Sequence, residues 1–269
     1  MRRWWAVLLT AALLPGCTIP VGEDTPEPDV VVTVTETRAS RSEGDTLEAA
    51  VREVLARYGG SAGVAVSDGR EIYTAGDMTA VPAWSTIKVP LAIAALRVDP
   101  EMAPSAAAAI RVSDNAAAET LWLASGAVGV DAVLAEGQAG TVVNQEVRRP
   151  EFSIFGQTAW SAADQARFAA HLPCIAGGEP VLQDMAAIDP SQSWGLGTLA
   201  GARFKGGWGP DLNGTYTARQ LGLAPGADGE RAVAVVATPA SGSLADAQEM
   251  TTLLVQALGD LTQFPAARC

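Results

Sequence analysis

Only two of the 18 basic residues are lysines, Lys88 and Lys205. Arginine stays protonated in proteins, whereas a lysine in a desolvating pocket can release its proton and act as a base. The first lysine closes the string Ser85-Thr86-Ile87-Lys88. Three residues apart at the start of a helix, Ser85 and Lys88 share one face, so a neutral amine there can take the hydroxyl proton during attack on a carbonyl. Taken alone, the spacing fits equally well an N-terminal cap followed by a solvated lysine. The one histidine, His171, has no serine and aspartate beside it and reads as structural rather than as a triad base. One histidine and three scattered cysteines are too few for a zinc site, so neither a metal nor a cofactor is expected. A formal charge of -12 without a basic stripe excludes nucleic acid as a partner, and 48% hydrophobic residues suffice for a core.

The elements that must position these residues follow from periodicity. Asp45-x-x-Glu48 reads as a capping box, and Leu47, Val51, Val54, Leu55 and Tyr58 then recur at helical spacing until Gly59-Gly60. Residues 62–66 and 72–75 flank Asp68-Gly69, a hairpin signal. Helical stretches run from Ser85 to before Asp99-Pro100, then over 104–112, 116–123, 130–136 and 161–172. Short β-like runs follow at 202–205, 215–223 and 231–238, with turns at Asn213-Gly214 and Asp228-Gly229, and a last helix spans 244–258. Two early strands, a helical insertion over about 85–195, three late strands and helices at both ends predict an α+β fold. Its core is one five-stranded antiparallel sheet flanked by the terminal helices.

Ser85-Thr86-Ile87-Lys88, Ser113-Asp114-Asn115 and Lys205-Gly206-Gly207 stand in the order of the three motifs of the penicillin-recognising serine enzymes. Residues 47–264 resemble the class A β-lactamases and D,D-peptidases of that family. The resemblance implies that Ser85 is acylated, that Lys88 is its base or relay, and that Ser113 passes a proton to the leaving nitrogen. It implies that Asn115 holds the substrate amide and that Lys205 faces a substrate carboxylate. The N–H of Ser85 with that of Gly207 or Trp208 would form the oxyanion hole. Trp84 and Trp208, each next to a motif, are expected to line the cleft. Two departures stand out. Gly206 replaces the family's hydroxyl residue after the lysine, and residues 143–157 lack the Glu-Pro-x-Leu-Asn string that resolves the acyl-enzyme, leaving Glu146 and Glu151 as the candidate bases. The implied ligand is a β-lactam or a D-Ala-D-Ala-like peptidoglycan peptide. The alternative is an inert module of the same fold that binds cell-wall peptide or a protein partner.

The N-terminus carries an address. Arg2-Arg3, an apolar run over 4–14 and Leu14-Pro15-Gly16-Cys17 have the order of a secretory signal, with a cysteine placed as in a bacterial lipobox. The expectation is a signal peptide over 1–16 and a lipidated Cys17. A flexible acidic, Pro- and Thr-rich stalk to residue 46 would follow, then a hydrolase domain over 47–269 tethered to the outer face of the cytoplasmic membrane. In an oxidising compartment Cys174 and Cys269 are expected to form a disulfide, contributing roughly 4–5 kcal/mol for a loop of that size.

Overall fold

The computed structural model describes residues 38–268, with side chains from residue 43 onward. The signal, Cys17, the stalk up to residue 37 and Cys269 lie outside the described residues. Helix α1 spans Arg38–Tyr58 and ends at Gly59, whose φ of +60° suits glycine. Asp45 and Glu48 therefore lie inside the helix instead of capping it, and 38–46 is helical where a stalk was expected. The residues before Asp45 contain nothing stronger than Gly44 to stop a helix, so α1 propagates back through them.

Strands β1 (Ser61–Ser67) and β2 (Ile72–Gly76) form the expected hairpin, with Gly69 at φ +97° and Asp68 Oδ1 accepting from the N–H groups of Arg70 and Glu71. A short antiparallel pair joins β3 (Val81–Pro82), just before the helical insertion, to β4 (Ala159–Trp160) within it. The insertion holds α2 (Lys88–Val98), α3 (Ala103–Arg111) and α4 (Asn115–Glu136), then α5 (Ala162–His171) and α6 (Glu179–Met185). Helix α4 joins two predicted helices through Gly126, whose φ/ψ of 61°/173° breaks the run. Strands β5 (Arg203–Pro210), β6 (Tyr216–Ala224) and β7 (Arg231–Thr238) and helix α7 (Leu244–Ala257) complete the chain.

The five-stranded sheet has the order β2-β1-β7-β6-β5 and is antiparallel throughout. Alternation divides its side chains between two cores. Val64, Val66, Val233 and Val235 pack with Leu47, Val54 and Leu254 of the terminal helices. Ala65, Ala234 and Leu221 face Ile93, Val133 and Phe168 of the insertion. The sheet thus ends on β5, an edge strand that meets the insertion where the motifs lie.

Two lysine-free anchors fix that edge. Arg219, fully buried on β6, donates to the carbonyls of Val81, Pro82 and Trp160 and to Gln165 Oε1, which ties the β3–β4 pair to the sheet. Gln165 in turn donates to Thr86 Oγ1, beside Ser85. Cys174 is disulfide-bonded, and the C-terminal segment is held by Ala267 N–H on Glu230 O and Arg268 N–H on Asp68 O. His171 is structural as expected: Nδ1 donates to Arg167 O at 2.9 Å and Nε2 accepts from Gln138 Nε2 at 3.1 Å.

Candidate active site

Ser85 lies in a 3-10 turn, Trp84–Ile87, that runs directly into α2. The turn is entered through Trp84 at φ +51°, a strained conformation for a residue with a Cβ. It is held there by packing: the indole covers Gly209 of β5, where a Cβ would sit 2.6 Å from the ring, and meets the Phe152 ring edge-on at 5.0 Å. Strand β5 approaches the nucleophile as closely. A Cβ on Gly207 would lie 2.8 Å from the backbone nitrogen of Ser85 and 2.8 Å from Ala83 O. This explains why β5 continues through Gly206-Gly207-Trp208-Gly209, a run whose glycines read as a strand end in the sequence.

The second motif sits between α3 and α4. Ser113 adopts φ +59°, which turns its carbonyl inward, and Asp114 caps α4 by accepting from Ala117 N–H at 2.8 Å. The Lys88 ammonium donates into this turn: 2.6 Å to Ser113 O, 2.7 Å to Asn115 Oδ1, 3.2 Å to Asp114 O and 3.5 Å to Ser113 Oγ. Ser85 Oγ is not among its partners and has none among the described residues. The serine is therefore unengaged, and a base role requires Lys88 to leave one of four oxygens that compete for its three protons. Burial pushes the Lys88 amine down to about 8, partly offset by the Asp114 carboxylate.

Lys205, fully buried on β5, donates to Ser113 Oγ at 3.0 Å and to Gly206 O at 2.9 Å. Burial and then the neighbouring Lys88 hold its pKa well below the usual lysine range. It is not among the residues that line the cleft, and its hydrogen bond to Ser113 Oγ is its link to them. Ser113 Oγ thus sits between two amines of weakened basicity, an arrangement able to relay a proton.

These groups open onto a cavity of about 680 Å³. Ser85, Lys88, Ser113, Asn115 and Trp208 line it, as does Trp84. Gly207 is not among the lining residues, and its lack of a side chain lets β5 approach Ser85. The far wall is the loop over 143–158, organised from inside by two amides. Asn144 Nδ2 donates to Glu146 O and Ile154 O, and Gln157 Nε2 to Arg149 O, Phe152 O and Ser153 O.

The two candidate bases separate. Glu146 is exposed and does not line the cavity. Glu151 lines it, but a backbone hydrogen bond and then the Arg149 guanidinium at 2.9 Å lower its pKa and weaken it as a base. Sequence reasoning missed Glu119, the other carboxylate on the cavity. Its signal was available: four residues past Asn115, it falls on the same face of α4. It also missed Gln192 and Tyr216, which complete the rim.

No protein-family model and no curated protein matches the chain. Solved structures do. The TLA-3 extended-spectrum beta-lactamase superposes with a TM-score of 0.67 at 14% identity, covering 82% of this chain and 100% of that one. A class A beta-lactamase from Bacteroides cellulosilyticus gives 0.67 at 13% identity over 80% of this chain and 96% of that one. A beta-lactamase from Xanthomonas campestris pv. campestris gives 0.63 at 19% identity over 82% and 98%. The fold is therefore that of the class A β-lactamases.

Proposed function

We infer that this chain, which has the β-lactamase fold, is a serine acyl-enzyme hydrolase acting on a β-lactam or a D-Ala-D-Ala-like peptide amide at the cell envelope, tethered there through a lipidated Cys17. The observation that carries the reading is the convergence of Ser85, Lys88 and Ser113 on one cavity, with the Lys88 amine lowered to about 8 by burial.

The chemistry proceeds in two steps. A neutral Lys88 accepts the Ser85 proton as Oγ bonds the substrate carbonyl carbon, and the oxyanion falls beside the Ser85 N–H and the β5 backbone at Trp208. The C–N bond then breaks, and the proton passes from Lys88 through Ser113 Oγ to the leaving nitrogen. Lys205 holds Ser113 Oγ in line for that transfer. Water completes the cycle by bonding the acyl carbon, breaking the C–Oγ bond and returning a proton to Ser85. With Glu151 committed to Arg149, Glu119 is the one cavity carboxylate among the described residues left to assist that second step, which is slow.

A second reading, an inert module that binds cell-wall peptide, is favoured by that commitment of Glu151 and by Gly206. The two diverge in one experiment: intact mass of the full chain mixed with an activated, uncharged phenylacetyl thioester. The enzyme gains a phenylacetyl group that Ser85→Ala does not. An unmodified chain, or equal modification of Ser85→Ala, overturns the hydrolase.

A further inference from the structure

We propose that this site selects acyl donors whose leaving side carries no negative charge, with Trp194 packed against Gly206 and behind Trp208, where it keeps a polar side chain off the β5 edge of the cleft. The inference rests on the acyl-enzyme reading above and narrows its substrates to carboxylate-free members, such as an amidated peptide terminus or a neutral ester.

The first observation is the filled space over Gly206. A Cβ built there would lie 3.1 Å from Trp194 Cζ2, so a side chain at this position would crowd the indole. Trp194 also meets Trp208, which lines the cavity, edge-on at 6.2 Å. The indole is held by its own backbone: Trp194 O accepts from Gln220 Nε2 at 2.7 Å, and Gln220 Oε1 accepts from Leu196 N–H at 2.6 Å. Gln220 is the β6 partner of Gly206, so the one polar side chain opposite that glycine is consumed at both ends. Gly195 makes the fit possible, since a Cβ there would lie 2.3 Å from Gln220 Oε1.

The second observation is charge. Lys88 is the one cation among the described residues lining the cavity, and its donors are taken by the 113–115 turn. Lys205 lies behind Ser113, fully buried and with a weakened hold on its proton. Arg219, one residue along β6 from Gln220, is spent on Val81, Pro82 and Trp160 carbonyls on the other face. Arg149 is bound to Glu151 and Pro210 O. Against these stand the Glu119 carboxylate and the aromatic surfaces of Trp84, Phe152, Trp208 and Tyr216. A buried anion needs a paired cation or several donors, and this cavity supplies neither on the β5 side. A flat, uncharged group gains apolar contact there instead.

The test compares two phenylacetyl thioesters that differ in one charge, those of thioglycolate and of methyl thioglycolate, on the full chain. Both place the same acyl group on Ser85: the Oγ–C bond forms, the C–S bond breaks, and the thiolate takes the proton carried by Lys88 and Ser113. The expected result is acylation at least tenfold faster with the methyl ester. Trp194→Ala combined with Gly206→Thr, which frees the space over this edge of β5 and adds a hydroxyl there, narrows that ratio at least threefold. Equal rates for the two thioesters in the unaltered chain overturn the selection while leaving the hydrolase intact. Failure of both to modify Ser85 removes the hydrolase reading and the selection with it.

Discussion

Lys88 gives the acylation step a pH profile that can be worked out in advance. Its amine is lowered to about 8 by burial, with Asp114 pulling in the opposite direction. If only the neutral amine takes the Ser85 proton, the reactive fraction is about one tenth at pH 7, half at pH 8 and nine tenths at pH 9. The rate constant for acylation by an uncharged thioester, followed by stopped intact mass, should therefore rise about tenfold between pH 7 and 9 and then level off. Asp114→Asn sharpens the test. Asparagine caps a helix as well as aspartate does, so α4 keeps its start, while the charge that holds the Lys88 proton is lost. The inflection should move below that of the unaltered chain. Stability follows the same group. Below pH 8 the folded and unfolded chains both hold the proton, and folding buries an ammonium; between pH 8 and 10.5 the folded chain has released it while the unfolded chain has not. Stability relative to Lys88→Met should then rise with pH by on the order of 3 kcal/mol across that window. A profile flat from pH 7 to 9, or one inflecting near the ordinary lysine value, would refute Lys88 as the base.

Gly207→Ala should lower acylation at least tenfold, since its Cβ meets backbone atoms of Ala83, Ser85 and Thr86 that cannot rotate away; rate constants from the same mass assay check it. Asn144→Ala leaves the carbonyls of Glu146 and Ile154 without their donor, which should destabilise the chain by about 2 kcal/mol in urea unfolding and open 145–154 to limited proteolysis. Glu151→Gln should change the lifetime of the acyl-enzyme by less than about twofold, because an exposed carboxylate paired with arginine contributes little. Glu119, unpaired by any arginine or lysine among the described residues, is the carboxylate whose loss should lengthen that lifetime.

How much of this was legible in the sequence depends on distance along the chain. The β1–β2 hairpin, the break at Gly126 and the limits of α5 and α7 are set by local signals, turn residues and apolar period, and appear where those signals fall. The α1 start did not, because a capping pattern within a helix is indistinguishable from one at its end until tertiary packing decides. The β5 glycines read as a strand end; only contact with Trp84 and Ser85, more than 120 positions earlier, shows why side chains are excluded there. The motif order located Ser85, Lys88, Ser113 and Lys205, yet their hydrogen bonding was not legible. That Lys88 serves the 113–115 turn instead of Ser85, and that Lys205 lies behind Ser113, depends on the rotation of Ser113 into positive φ. Trp194 carried no local signal at all, since its role arises from Gly206 and Gln220 on two different strands.

The chemistry depends on Ser85 being a working nucleophile. A fluorophosphonate bearing an uncharged apolar chain tests it without depending on leaving-group recognition or on deacylation. Incubated with the full chain at pH 8 and read by intact mass and peptide mapping, it should add one phosphonyl group, on the peptide containing Ser85, and none to Ser85→Ala. An unmodified chain, or a group placed elsewhere and retained in Ser85→Ala, would contradict the account.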